Sequence, residues 1–189
     1  MKLKETNIFV INGYPRVGKD FLVNKIREVS INPSVLNYST VSVVKEMAEL
    51  IGYEENVPSV KNNFRAFLSD LKDLIDSHFE KMTVKTCIQK AIDKHEEKLS
   101  YEVFSPIIFI HSREPENIDF IKSYAKEKGY KIRTLLVMAD WVVEKEEYSN
   151  HADKNIGNYD YDYLFLNTKN ESLFYKRMLD FIKKNTNLN

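Results

Sequence analysis

Asn7-Ile-Phe-Val-Ile-Asn12 runs directly into Gly13-Tyr-Pro-Arg-Val-Gly-Lys-Asp20, and these fourteen residues decide the fold. Ile8 to Ile11 is a short unbroken apolar run, the pattern of a parallel strand covered on both faces. Gly13 and Gly18 then bracket Tyr14, Pro15, Arg16 and Val17, and Lys19 follows at once, spelling G-x-x-x-x-G-K. Glycines at those two places let the backbone curl until successive N–H groups converge on an anion. A helix starting near Gly18 adds its unpaired amides and the positive end of its dipole. Lys19 extends from the same turn to the outer phosphates. The stretch reads as a phosphate cradle between a strand and a helix whose apolar stripe is Phe21, Leu22, Ile26 and Val29. Asp20 stands where Ser or Thr usually ligates Mg²⁺, and a carboxylate there can hold the metal directly or through water.

The totals fit one domain over residues 1–189. The chain is 43% hydrophobic and 30% charged, ordinary for a globular protein. Its 28 basic and 28 acidic residues cancel, so bulk charge points to neither a nucleic-acid nor a membrane partner. Only six of the bases are arginine, at 16, 27, 65, 113, 133 and 177, and arginine is the better bidentate ligand for phosphate. A single cysteine, Cys87, excludes an intrachain disulfide and suits a reducing, cytoplasmic setting. No run of apolar residues is long enough to span a bilayer, and no signal peptide is visible.

Strand and helix signals alternate along the chain. Asn32 to Ser34 reads as a turn and Val35 to Ser39 as a second strand. A helix capped by Thr40 or Ser42 should run to Ile51 with Val43, Val44, Met47, Leu50 and Ile51 inward, stopping at Gly52. Lys61 to Ile75 has the spacing of an amphipathic helix, with Phe64, Phe67, Leu68, Leu71, Leu74 and Ile75 on its stripe. Lys61, Arg65 and Lys72 form a basic flank beside that stripe, placed to grip a second anion. Val84 to Leu99 is a further helix, with Val84, Cys87, Ile88, Ala91, Ile92 and Leu99 on one face and Cys87 and His95 expected as core residues. Pro106 to His111 should be strand three, Tyr130 to Met138 strand four and Tyr161 to Leu166 strand five. Ser112 and Pro115 signal the start of the helix after strand three. Alternation of this kind means a parallel sheet with helices on both faces. Ligands then sit beyond the carboxyl ends of the strands, where the cradle, Ser39 and Arg113 all fall. The long polar connection from 139 to 160 has the length of a lid.

G-K-D-F at Gly18 to Phe21 resembles the phosphate loop of phage deoxynucleoside monophosphate kinases and of animal-type phosphomevalonate kinases. With Lys61-Asn-Asn-Phe-Arg65, Arg113-Glu-Pro, Asn150-His-Ala-Asp153 and Tyr161 to Asn167, the likeness to P-loop nucleoside monophosphate kinases covers roughly residues 7 to 183. The resemblance implies a P-loop NTPase fold with sheet order 2-3-1-4-5. It also implies an acceptor-binding region over 40–100, a lid over 139–160 and an adenine site near Asn167. On it we expect transfer of the γ-phosphoryl group of ATP, with Mg²⁺, to a small phosphorylated acceptor such as a (deoxy)nucleoside monophosphate. Residues 13 to 21 and Asn167 would bind ATP, with Lys19, Arg16 and Arg113 catalytic and Asp20 on the metal. Ser39, Lys61, Arg65 and Arg113 would bind the acceptor. The chain departs from the pattern twice: His111 replaces the usual acid at the end of strand three, and no arginine lies between 133 and 177. Those departures favour the alternative of a nucleotide-binding protein without catalysis; phosphomevalonate remains an alternative acceptor.

Overall fold

A computed structural model describes residues 4–30, 34–102, 104–142 and 156–185. Five strands form one parallel sheet: β1 (Lys4–Asn12), β2 (Val35–Ser39), β3 (Ile107–His111), β4 (Tyr130–Ala139) and β5 (Tyr163–Asn167). Their order is β2-β3-β1-β4-β5, as expected, and every pairing is parallel. Among the described residues six α-helices accompany them: α1 (Lys19–Val29), α2 (Ser42–Glu49), α3 (Pro58–His78), α4 (Met82–Leu99), α5 (Pro115–Glu127) and α6 (Glu171–Asn185). None of these is long and apolar enough to cross a membrane.

The two-residue period of β1 divides the core. Phe9 and Ile11 face α1 and α6, where Leu22, Val23, Ile26, Phe174, Met178 and Ile182 meet them. Ile8 and Val10 face α4 and α5, packing on Ile88, Ile92, Ile118 and Ile121. β3 repeats the alternation in register, so Phe9 stacks on Phe109 with centroids 5.7 Å apart. All four β1 residues are fully buried, and each side chain contributes roughly 1.5–3 kcal/mol of transfer free energy. A third cluster, of Val44, Ala48, Tyr53 and Leu68, holds α2 to α3. β5 is fastened to β4 by Asp162, whose carboxylate accepts from Thr134 N at 2.7 Å and Thr134 Oγ1 at 2.9 Å.

Several expectations need correction. Phe21 and Val29 are not part of the α1 stripe; they are 50% and 43% exposed, and Val23 takes the buried place. α2 ends at Glu49, so Leu50 and Ile51 swing outward, and its N-cap, Val41, makes no side-chain bond. Leu99 is exposed at the last turn of α4. Glu114, not Ser112, is the N-cap of α5, because Ser112 is still buried beside the end of β3. Lys72 is not on an exposed basic flank: it is buried between two carboxylates. Cys87 and His95 are core residues as expected. Burial pushes the Cys87 thiol up to about 12, and His95 Nε2 lies 3.1 Å from Ser105 Oγ. Asn32 and Pro33 of the expected turn lie outside the described residues. So do 143–155 of the expected lid, with the Asn150 to Asp153 stretch.

Candidate functional site

The turn from Gly13 to Gly18 joins the carboxyl end of the central strand to the first turn of α1. Its two glycines meet different constraints. Gly13 has φ of 149°, and a Cβ there would overlap the Val137 carbonyl oxygen on β4. Gly18 has φ of 82° at the N-cap of α1, and a Cβ would lie 2.5 Å from Asn167 Nδ2. Arg16 also takes a left-handed φ of 67°, uncommon for a residue with a side chain.

Three strands brace the turn. Asn12 Oδ1 accepts from Gly13 N at 2.8 Å, and Asn12 Nδ2 donates to Arg113 O at 3.0 Å and to Tyr161 Oη at 2.7 Å. Asn167 Nδ2, at the end of β5, donates to Val17 O at 2.8 Å. Trp141, just past β4, donates its indole N–H to Arg16 O at 3.3 Å. Lys19 folds back across the turn, its ammonium donating to the Gly13 carbonyl and, at 3.1 Å, to that of Tyr14. The amides of Gly18, Asp20 and Phe21 have no acceptor among the described residues. Such orphan donors at a helix start, beside a lysine, suit a polyanion.

His111, at the end of β3, is the neighbour of this turn. Its Nε2 lies 3.6 Å from Asp20 Oδ1 and has no hydrogen-bond partner. Burial is the main force lowering its pKa, to about 4. Asp20 opposes the shift, while Lys19, Arg113 and Lys45 add to it. The imidazole is therefore neutral at pH 7, and its approach to Asp20 is no ion pair. Lys19 of α1, Lys45 of α2 and Arg113 of the β3–α5 turn are thus close enough for their charges to be felt at His111, while the Lys45 ammonium itself pairs with Glu55. Ser39 stands opposite His111 in the β2–β3 register; its Oγ accepts from Val41 N at 3.4 Å. Thr40 N donates to His111 O at 3.2 Å. Lys61 and Arg65 are exposed on α3, and their side chains make no ion pair or hydrogen bond among the described residues.

Asp20 is 81% exposed and no cluster of three ligating side chains exists among the described residues. That donor set fits Mg²⁺, which takes one or two carboxylates and completes its shell with water and phosphate oxygens.

Beside Gly18 opens a cleft of about 390 Å³ lined by Phe21, Trp141, Asn167, Phe174 and Tyr175, with Lys25, Lys169 and Glu171 also in its lining. Phe21, displaced from the core, packs on Phe174 with centroids 5.1 Å apart, and Lys169 Nζ lies 6.0 Å over the Trp141 ring. Aromatic side chains lining a cleft suit a planar heterocycle. Sequence reasoning placed Phe21 and Asn167 here. It missed Trp141, Asn12, Tyr161 and Lys45, whose parts depend on partners far along the chain.

Neither protein-family models nor the sequences of curated proteins match this chain.

Proposed function

We propose that the protein is a P-loop kinase that transfers the γ-phosphoryl group of ATP to a small phosphorylated acceptor, a nucleoside or deoxynucleoside monophosphate. One observation carries this reading: the Gly13–Gly18 turn presents the amides of Gly18, Asp20 and Phe21 without an acceptor among the described residues at the start of α1, with the Lys19 ammonium folded across it. A cradle alone binds an anion; in this reading Arg113, in the turn after β3, supplies the site for the second. The aromatic cleft next to Gly18 supports a base for the donor nucleotide.

Phosphoryl transfer needs positioning and charge neutralisation more than covalent chemistry. In this reading the free amides of Gly18, Asp20 and Phe21 hold the β- and γ-phosphates. Lys19 leaves the Gly13 and Tyr14 carbonyls for the phosphate oxygens, exchanging neutral acceptors for charged ones. Arg113 and the exposed Arg65 and Lys61 hold the acceptor phosphate, with Lys45 and Ser39 beside them. Arg16 follows the transferred group from the turn. Bound Mg²⁺, held through Asp20, would neutralise charge on the phosphate oxygens. The neutral His111 supplies no second negative charge near the metal, which favours, as a second reading, a protein that binds nucleotide without turning it over.

The test is a coupled assay with ATP, Mg²⁺ and a panel of AMP, the four dNMPs and phosphomevalonate. Product with a monophosphate, lost by at least about 10³-fold in Lys19→Ala at unchanged melting temperature, is the expected outcome. Product with phosphomevalonate alone changes the acceptor. Saturable ATP binding with no product from any member would establish the binder instead.

A further inference from the structure

α3 carries a lysine at a depth where a helix packed on its neighbours ordinarily carries leucine. Lys72 is 6% exposed, as deep as Leu68 one turn earlier at 8%. Its ammonium lies 3.3 Å from Asp76 Oδ2 and 3.3 Å from Glu114 Oε2. Both carboxylates are held from elsewhere as well. Asp76 accepts from Thr83 N at 2.8 Å and Thr83 Oγ1 at 2.7 Å, fixing α3 to the first turn of α4. Glu114 accepts from the Asn117 side chain, and Asn117 Oδ1 accepts from Lys81 Nζ at 2.7 Å. The network spans α3, α4 and the start of α5.

Stability does not account for it. A buried ion pair is commonly matched or bettered by apolar side chains of similar volume, whereas it does define register. The register defined here is that of the turn carrying Arg113. Glu114 follows Arg113 directly and is the N-cap of α5. On the other side, the Arg113 carbonyl is held by Asn12 at 3.0 Å. The backbone at Arg113 is thereby held from the strand by Asn12 and, one residue on, from α3 by Lys72 through Glu114.

We infer that Lys72 is a positioning residue: acting through Glu114, it holds the Arg113 turn, and with it α3, in the arrangement that receives the acceptor's phosphate. This rests on the proposal that Arg113 binds that phosphate. No contact between Lys72 and substrate is involved.

The test uses the full chain with Lys72→Met, Lys72→Arg, Glu114→Gln and Arg113→Ala. Steady-state kinetics with ATP and the dNMP or AMP that yields product are paired with ¹⁵N relaxation of the arginine Nε–Hε groups, few enough to assign among six arginines. Lys72→Met should raise the acceptor KM by about tenfold, the worth of one charge-assisted contact, with kcat and the KM for ATP within about twofold. Glu114→Gln should behave likewise, Lys72→Arg should restore most of the acceptor KM, and Arg113 should become mobile in Lys72→Met. An Arg113 that stays as ordered as in the parent would overturn the inference. So would a Lys72→Met protein that loses kcat and both KM values together, or one whose acceptor KM is unchanged while that of Arg113→Ala rises. An Arg113→Ala protein with an unaltered acceptor KM would instead remove the phosphate-binding role of Arg113. The relaxation measurement would then still decide whether Lys72 orders it.

Discussion

Gly13 and Gly18 serve one turn but tolerate change differently. An alanine at 13 drives its Cβ into the Val137 carbonyl, part of the β4 backbone, which cannot withdraw without disturbing the sheet. An alanine at 18 meets the end of the Asn167 side chain, which can rotate away and surrender its bond to Val17 O. Gly13→Ala should therefore cost about 3 kcal/mol or more in urea unfolding, and Gly18→Ala about 1–2 kcal/mol. Isothermal titration should nonetheless show ATP affinity falling in Gly18→Ala, because the turn has lost a brace. Equal costs in the two proteins would mean that the turn relaxes as a unit. The two glycines were legible in the sequence because their conformations follow from local backbone geometry. Asn12 was not. It looks like the last residue of a strand, and its importance comes from partners 101 and 149 residues further on.

Helix faces were read from the spacing of apolar residues, and that worked wherever a helix lies against the sheet. The α4 stripe of Val84, Cys87, Ile88, Ala91, Ile92 and His95 is buried along its length. It failed at ends, where polarity misled, and on α3, where Phe67 and Leu74 of the expected stripe are exposed. Leu50 follows the α2 period but lies one residue past the helix, where nothing packs on it. Lys72 has the composition of a surface residue, yet Asp76 and Glu114 make its burial tolerable, and Glu114 is 42 residues away. His95 allows a test at this scale. Burial lowers its pKa in the fold, with Glu96 opposing and Lys4 adding, and its other neighbours are Ser105 and the Tyr130 ring. The unfolded chain then binds more protons than the folded one as pH falls from the ordinary histidine value, near 6.5, toward the lower folded value. Its contribution is full above that ordinary value and declines below it. The melting temperature should drop between pH 7 and pH 5, with a shallower slope in His95→Gln. Identical slopes in the two proteins would assign the pH dependence to other groups.

For the molecule as a whole, alternating strand and helix signals were enough to read a parallel sheet covered on both faces. The strand order came through resemblance rather than from any residue pattern, since no local feature tells β4 to pair with β1. That order makes β1 central, so its turn neighbours the end of β3, with His111 and, just past it, Arg113, and the ends of β4 and β5, with Trp141 just past the one and Asn167 closing the other. Trp141 is the chain's only tryptophan, and its indole touches both Arg16 and the aromatic cleft. The protein thus carries a built-in optical probe. Its fluorescence should change saturably as ATP is added, and a change of similar size with adenosine would place the heterocycle against the ring. Emission indifferent to both would leave the cleft without a nucleotide. With no second fluorophore of its kind to subtract, stopped-flow mixing could follow the loading of the turn in real time in the unlabelled protein.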